Sequence, residues 1–414
     1  MSRTVVILAT LDTKSEEVAY LRSEIESLGG EALVIDLGVV GEPGIDADVG
    51  RSDVAAAGGT PLAELLEAPT RGAAAPVMVS GATTILLDLI RDGRAHAVLG
   101  LGGTQGTSSC TAVMQALPYG FPKLMVSTVA SGDTAPFVGI KDITMMFSVS
   151  DLLGLNPFTA RILANAAAAA YGMSLRGGTV EAGEGDRPLV AMTNLGVLTD
   201  GATLALELFR EAGYDVVVFH AVGSGGRAME QLMKEGVVGA VFDYALGEIA
   251  DELFDGLRSA GPERLTVAGS LGLPQVIVPG GAEHLGLFVE ADTVPEEYAN
   301  HRHVFHSPVI FVPRLGSEEF VRVAEEICAR LQHTTGPAGM LLPLQGVSRY
   351  SVPGAPLHDP ASDLAFFEAL RAGIPEGVEL VEIDAGAEDP EFVRSAVDRL
   401  VAMMEPADRE SAGM

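Results

Sequence analysis

Two short stretches of the chain combine the residue types that hold anions. In Leu99-Gly-Leu-Gly-Gly-Thr-Gln-Gly-Thr-Ser-Ser109, an apolar run over residues 95–101 opens into glycines and hydroxyls before a helix-like segment. Glycine lets a ligand approach the backbone closely, and the first N–H groups of a helix point outward with partial positive charge. Gly102, Gly103, Thr104, Gly106, Thr107 and Ser108 are therefore candidate phosphate contacts. The pattern is neither a Walker A loop nor an ordered G-x-G-x-x-G fingerprint, and its bland alternative is a turn that packs a helix tightly on a sheet. The second stretch is Thr10-Leu-Asp-Thr-Lys14, after a strand-like run over residues 4–10 and before a helical pattern carrying Val18, Leu21, Ile25 and Leu28 on one face. Thr10, Asp12, Thr13 and Lys14 then sit past a strand's C-terminal end, where open α/β sheets bind ligands; Asp12 or Thr13 could instead cap the helix. A third such edge, residues 121–128, leads into Val129-Ala-Ser-Gly-Asp133 and adds Ser131, Gly132 and Asp133. Asp12 and Asp133 are the carboxylates placed to hold Mg²⁺ beside a phosphate.

Lysine is scarce: Lys14, Lys123, Lys141 and Lys234 are the only four. Lys14 alone lies in a candidate loop and is the expected phosphate contact, while Lys123 and Lys141 read as surface or strand-edge residues. In the second half, Ala221-Val-Gly-Ser-Gly-Gly-Arg227 is another glycine-rich strand end. Gly225, Gly226 and Arg227 could hold a substrate carboxylate or phosphate, and Arg227 could equally face solvent. His220 could act as a general base or be a hydrogen-bonded core histidine. His284, His301, His303 and His306 match no trusted metal spacing. G-x-S-x-G, H-E-x-x-H and C-x-x-C motifs are missing, so hydrolase, zincin and thiol-redox readings lack their usual support. Cys110 and Cys328 read as buried thiols in helices.

Length and composition set the frame. At 414 residues and 48% hydrophobic content, the chain suggests two domains. A formal charge of −30 without a basic run argues against a nucleic-acid partner. No stretch reads as the roughly 18 to 20 apolar residues of a membrane span, and the N-terminus does not resemble a signal peptide, so a cytoplasmic location is the default. A local nest of N–H groups with one or two cations still suits a small anionic metabolite.

Strand-like segments at 31–37, 76–80, 95–101 and 123–128, then a helix over about 156–173, alternate as in a mostly parallel sheet with helices on both faces. A glycine-rich stretch after residue 173 reads as a linker, 174–186, between domains at 1–178 and 187–404, with a tail at 405–414. The design restarts with strands at 188–193, 214–220, 237–244, 275–278, 309–312, 338–343 and 378–383, Thr199 and Asp200 as helix caps, and an amphipathic helix over 317–331. The fold class is thus α/β, two Rossmann-like doubly wound parallel sheets facing an interdomain cleft. Because both glycine loops follow early strands, they are expected to converge there, nucleotide on one side and substrate on the other.

The residues also carry a family resemblance. Ala9-Thr-Leu-Asp-Thr-Lys14, Leu101-Gly-Gly-Thr-Gln-Gly-Thr107, Pro122-Lys-Leu-Met-Val-Ser-Thr-Val-Ala-Ser-Gly-Asp133, Asp142-Ile-Thr-Met-Met146, Leu163-Ala-Asn-Ala166 and Phe219-His-Ala-Val-Gly-Ser-Gly-Gly-Arg-Ala-Met-Glu230 resemble the ATP-binding domain of the plant tobamovirus-resistance (Tm-type) proteins and their bacterial and fungal relatives. The resemblance implies two Rossmann-like subdomains, ATP binding and a homodimer. An ATP-dependent enzyme acting on a small anionic metabolite is the first expectation. A nucleotide-gated protein-binding module without turnover, or an ATP-independent lyase or isomerase around His220 and Arg227, are the alternatives. The second half departs from the family pattern at Glu283-His-Leu-Gly-Leu-Phe288 and Asp384-Ala-Gly-Ala-Glu-Asp-Pro390, where Gly386 replaces a histidine.

Overall fold

The structure, a computed structural model, describes residues 2–67, 71–179 and 188–405. The chain divides into two compact units, Met1–Val180 and Glu181–Met414. The expected 174–186 linker and 405–414 tail fall largely outside the described residues, and a helix continues through Ser174.

The first unit runs β1 (Thr4–Ala9), α1 (Ser15–Ser27), β2 (Glu31–Asp36), α2 (Arg51–Ala57), α3 (Leu62–Glu67), α4 (Arg71–Arg91), β3 (Ala97–Gly102), α5 (Thr104–Gln115), β4 (Lys123–Ser127), α6 (Ala135–Val138), β5 (Thr144–Phe147) and α7 (Pro157–Ser174). Its five strands are all parallel in the order β2-β1-β3-β4-β5. That is a doubly wound order whose direction reverses between β1 and β3. Strands covered on both faces need continuous apolar runs. Val5 to Ala9 and Val98 to Leu101 supply them, with α1 and α7 packed on one face and α4 and α5 on the other.

One expected strand is a helix. Residues 76–80 lie inside α4, whose Met78, Ala82, Leu86 and Leu89 are buried at helical spacing. A short, mostly apolar run fits either element, and here tertiary packing decides. Gly81 is the reason α4 lies so close to α2, since a Cβ there would stand 1.8 Å from the Val54 carbonyl oxygen. Residues 74–91 of this helix are long and apolar enough to cross a membrane by length and composition alone, though interrupted by Ser80, Thr83, Thr84 and Asp88, and Met78, Ala82, Leu86 and Leu89 of that stretch serve the core.

The second unit runs β6 (Val190–Asn194), α8 (Thr199–Glu211), β7 (Val216–His220), α9 (Ser224–Lys234), β8 (Ala240–Asp243), α10 (Gly247–Leu253), α11 (Val267–Leu271), β9 (Gln275–Ile277), β10 (Leu287–Phe288), β11 (His303–Ser307), β12 (Ile310–Pro313), α12 (Ser317–Arg330), β13 (Ala338–Pro343), α13 (Pro360–Gly373), β14 (Val378–Ile383) and α14 (Pro390–Met404). Six parallel strands order as β14-β13-β9-β8-β6-β7, so the first five repeat the pattern of the first unit. A small antiparallel sheet, β10-β12-β11, is inserted after β9. Both units are therefore Rossmann-like α/β, as the alternation predicts. Thr199 and Asp200 do not cap α8: the helix has no side-chain cap at its own start, and the Glu388 carboxylate accepts the Asp200 and Gly201 N–H groups instead. Cys110 and Cys328 are buried in α5 and α12.

Candidate functional site

A cavity of 660 Å³ opens at the reversal point of the first sheet. Thr10, Asp12, Thr13 and Lys14 after β1 form one wall and Gly102, Gly103, Thr104, Gln105, Gly106 and Ser109 another. Leu37 to Val40 after β2, with Ala74, Ala75 and Met78 of α4, complete it as an apolar side. Strand C-terminal ends at a topological switch point are where doubly wound sheets bind ligands.

The chemistry of the walls follows from how the chain turns. Asp36, buried at the end of β2, accepts the Leu11 N–H at 3.0 Å and the Gly38 N–H at 2.8 Å with one carboxylate oxygen, fixing two walls to each other. Gly102 must be glycine for packing, since a Cβ would stand 2.7 Å from the Gly106 Cα. Gly103 is different: its Cβ would meet only Thr128 Oγ1 at 3.8 Å, and it lines the cavity. Neither α1 nor α5 has a capping side chain where it opens onto the cavity, so Asp12 and Thr13 are not caps. Their first-turn N–H groups keep the partial positive charge that attracts anions. Lys14 Nζ donates to the Leu152 carbonyl at 2.5 Å and, at 3.4 Å, to that of Thr13, with no carboxylate among the ion pairs of the described residues.

Some expected contacts lie elsewhere. Thr107 is buried and bonded to Ser127 Oγ at 2.7 Å, and Ser108 turns its hydroxyl back to the Thr104 carbonyl; Ser109, one residue on, lines the cavity. Ser131, Gly132 and Asp133 are exposed and outside the cavity wall, and Asp133 accepts the Ala135 N–H at 3.0 Å. Among the described residues no group of three or more His, Cys, Asp or Glu is arranged for a metal ion. Lys123 is not a surface residue. It is fully buried and donates to Asp142 at 2.7 Å and to the Pro118 and Phe121 carbonyls, while Lys141 is buried over the Tyr119 ring.

The second unit departs further from expectation. Its glycine loop follows the second strand, β7, at the sheet edge, whereas Gly102 to Gly106 follow the third strand, so the two loops are not in corresponding places. Nor is it an open nest: buried Glu248 accepts the Gly223 N–H at 2.6 Å and the Gly226 N–H at 3.1 Å. A Cβ on Gly225 would stand 1.9 Å from the His220 carbonyl oxygen and one on Gly226 2.2 Å from Glu248, so these glycines serve close packing. Arg227 is exposed, and exposed His220 meets the Asn194 carbonyl at 3.3 Å.

Behind this loop lies a buried charge network that sequence spacing does not reveal. Arg264 donates to both oxygens of Asp243 at 2.5 and 2.6 Å and to Glu248 at 2.6 Å, with Glu230 at 3.5 Å. Burial pushes the Glu230 carboxyl up, Arg264 and two backbone N–H groups offset part of the rise, and the balance stands at about 7. The histidines do not gather either. His284 is buried between Glu283 at 3.1 Å and Arg258 at 3.3 Å, His301 bonds the Arg314 carbonyl, and His303 packs on Phe311. Burial favours the neutral Glu283 carboxyl, but His284, Arg314 and Ser348 outweigh it and hold it down at about 2.

Two doubly wound units, with a ligand-sized cavity at the switch point of the first, define the class as a two-unit Rossmann-like α/β protein. The chain belongs to the Uncharacterised protein family (UPF0261): residues 3–177 match that family's N-terminal domain and residues 187–404 its C-terminal domain. It is 38% identical over 406 residues to a UPF0261 protein of Clostridium tetani, covering 98% of this chain and all of that one. A UPF0261 protein of Rhizobium meliloti is 36% identical over 95% of this chain and 97% of its own length. The ToMV resistance protein Tm-1(GCR237) of Solanum lycopersicum is 30% identical over 80% of this chain and 44% of its own length. Among solved structures, a UDP-N-acetylglucosamine 2-epimerase aligns at 12% identity with a TM-score of 0.25, covering 67% of this chain and 79% of that one. The fold assignment rests on the strand orders themselves.

Proposed function

We propose that the first unit binds a nucleoside phosphate, ATP being the ligand implied by the family resemblance, in the cavity between the β1 and β3 ends. One observation carries this reading. Two helix starts without capping side chains, backbone at Gly103 open to close approach, and an ammonium with no carboxylate partner among the described residues meet in one cavity, in a chain of net charge −30. In so acidic a protein, a lysine left to backbone carbonyls at a cavity wall is a position reserved for an anion. The phosphates lie on the Gly103 to Gly106 backbone beside Lys14, and the base lies against Leu37, Val39, Val40 and Met78.

Among the described residues of the wall the charged side chains are Lys14 and Asp12, of opposite sign. Mg²⁺ is commonly bound by one or two carboxylates together with substrate phosphates, and exposed Asp12 is the residue of this wall that fits that role. The ion would offset phosphate charge.

Titration calorimetry with ATP·Mg, on the wild-type chain and on Gly103→Val, tests the proposal. The valine Cβ meets no backbone, so the variant keeps its far-UV dichroism, while its methyls occupy the phosphate's place and abolish binding. Wild-type affinity in the folded variant, or no binding heat with the wild type, overturns the proposal.

A further inference from the structure

We infer that residues 148–156 form a strap whose hold on the first unit is coupled to occupancy of the cavity through Lys14, an inference that rests on the nucleotide reading above. The strap follows β5 and ends at Asn156, which caps α7 with a full capping box. Two residues hold it, one just before α1 and one in its first turn. Lys14 Nζ donates to the Leu152 carbonyl at 2.5 Å, and one turn later buried Glu17 accepts the Gly154 N–H at 2.9 Å. Leu152 itself is buried in the core, so the tie is made at the strap's anchored midpoint.

Around these ties the strap carries strain and exposed apolar surface. Val149 has φ +65°, a left-handed conformation that a β-branched residue adopts only under constraint. Its side chain is 61% exposed, and Leu153 is 80% exposed. Ser150 Oγ is buried with no partner among the described residues. A segment with strain, exposed apolar side chains and an orphaned hydroxyl belongs to the low-stability end of a fold, where a few bonds decide its opening.

Lys14 stands in the cavity wall as well as on the strap. An ammonium has three hydrogens; one serves Leu152, one makes the long contact to Thr13, and the third is available to a phosphate oxygen. A bound phosphate fixes Nζ, so the same ammonium bridges ligand and strap and the strap opens less often. Coupling is reciprocal: the factor by which the ligand favours the closed strap is the factor by which closing the strap tightens the ligand.

Hydrogen exchange with and without ATP·Mg reads the strap and the glycine loop separately. In the wild type the nucleotide slows amides of both 102–107 and 148–156, the latter by on the order of five-fold or more. Lys14→Met speeds exchange of 148–156 in the free protein. Glu17→Ala, which removes the second tie without touching the cavity wall, weakens nucleotide binding several-fold. Slowed exchange at 102–107 with 148–156 unchanged refutes the coupling and leaves the nucleotide site standing. No binding and no protection at 102–107 removes the nucleotide reading, and the coupling with it.

Discussion

Replacing Arg264 by methionine should cost the second unit more than almost any other single change. The guanidinium is fully buried and supplies the nearby positive charge for Asp243, Glu248 and Glu230, three carboxylates that are themselves buried. Methionine keeps much of the volume and removes two short bonds to Asp243, one to Glu248 and one to the Ala245 carbonyl. Breaking a buried ion pair by deleting one partner typically costs about 3 to 5 kcal/mol, chiefly because the remaining charge stays buried and uncompensated. Hydrogen exchange at the β8 amides measures it, with β3 of the first unit as reference. At 1.4 kcal/mol per tenfold, β8 exchange should accelerate from about a hundred-fold to several thousand-fold. Adding Glu248→Gln should recover part of the loss, since one uncompensated charge is gone while an acceptor for Gly223 and Gly226 remains. A loss under about 1 kcal/mol, or no recovery in the double variant, would refute the view that this arginine neutralises the cluster.

Two further outcomes follow from the same accounting. Asp36→Ala leaves the Leu11 and Gly38 N–H groups without their acceptor, costing roughly 1 to 3 kcal/mol and weakening nucleotide binding, whereas Asp36→Asn, which retains an acceptor oxygen, should lose much less; equal affinities for the two variants by calorimetry would contradict this. Glu230 has a folded-state carboxyl raised to about 7 from an ordinary 4.5, so between those values the folded chain keeps a proton that the unfolded chain sheds, and stability falls as pH rises. Urea unfolding of wild type and Glu230→Gln from pH 4.5 to 8 should show that extra decline in the wild type alone, flattening above about pH 7; parallel profiles would count against it.

Much of the sheet architecture is legible in the sequence because parallel strands covered on both faces need unbroken apolar runs. Residues 338–343 and 378–383 are strands over those bounds, and β1 and β3 fall within one or two residues of expectation. The same signal fails at 76–80, where a short apolar run belongs to a helix, and this hid the Ala74, Ala75 and Met78 side of the cavity. That Thr10 to Lys14 and Gly102 to Gly106 border one cavity was readable because each stretch stands at the end of a strand of the switch point. What stays invisible is tertiary partnership. Nothing near Lys123 announces that Asp142 will pair with it inside the protein, and nothing near Gly226 announces Glu248.

The Glu248 carboxylate inside the Gly223 to Gly226 turn makes that loop a receptor supplied with its own ligand. A tethered carboxylate presents itself at an effective concentration that a freely diffusing metabolite must exceed, and here it is also clamped from behind by Arg264. A free anion would have to displace that carboxylate from the Gly223 and Gly226 N–H groups. A stretch rich in glycine can thus keep every outward sign of an anion site while its vacancy is permanently filled, and the two glycine loops of this chain differ in whether the protein has answered its own N–H groups.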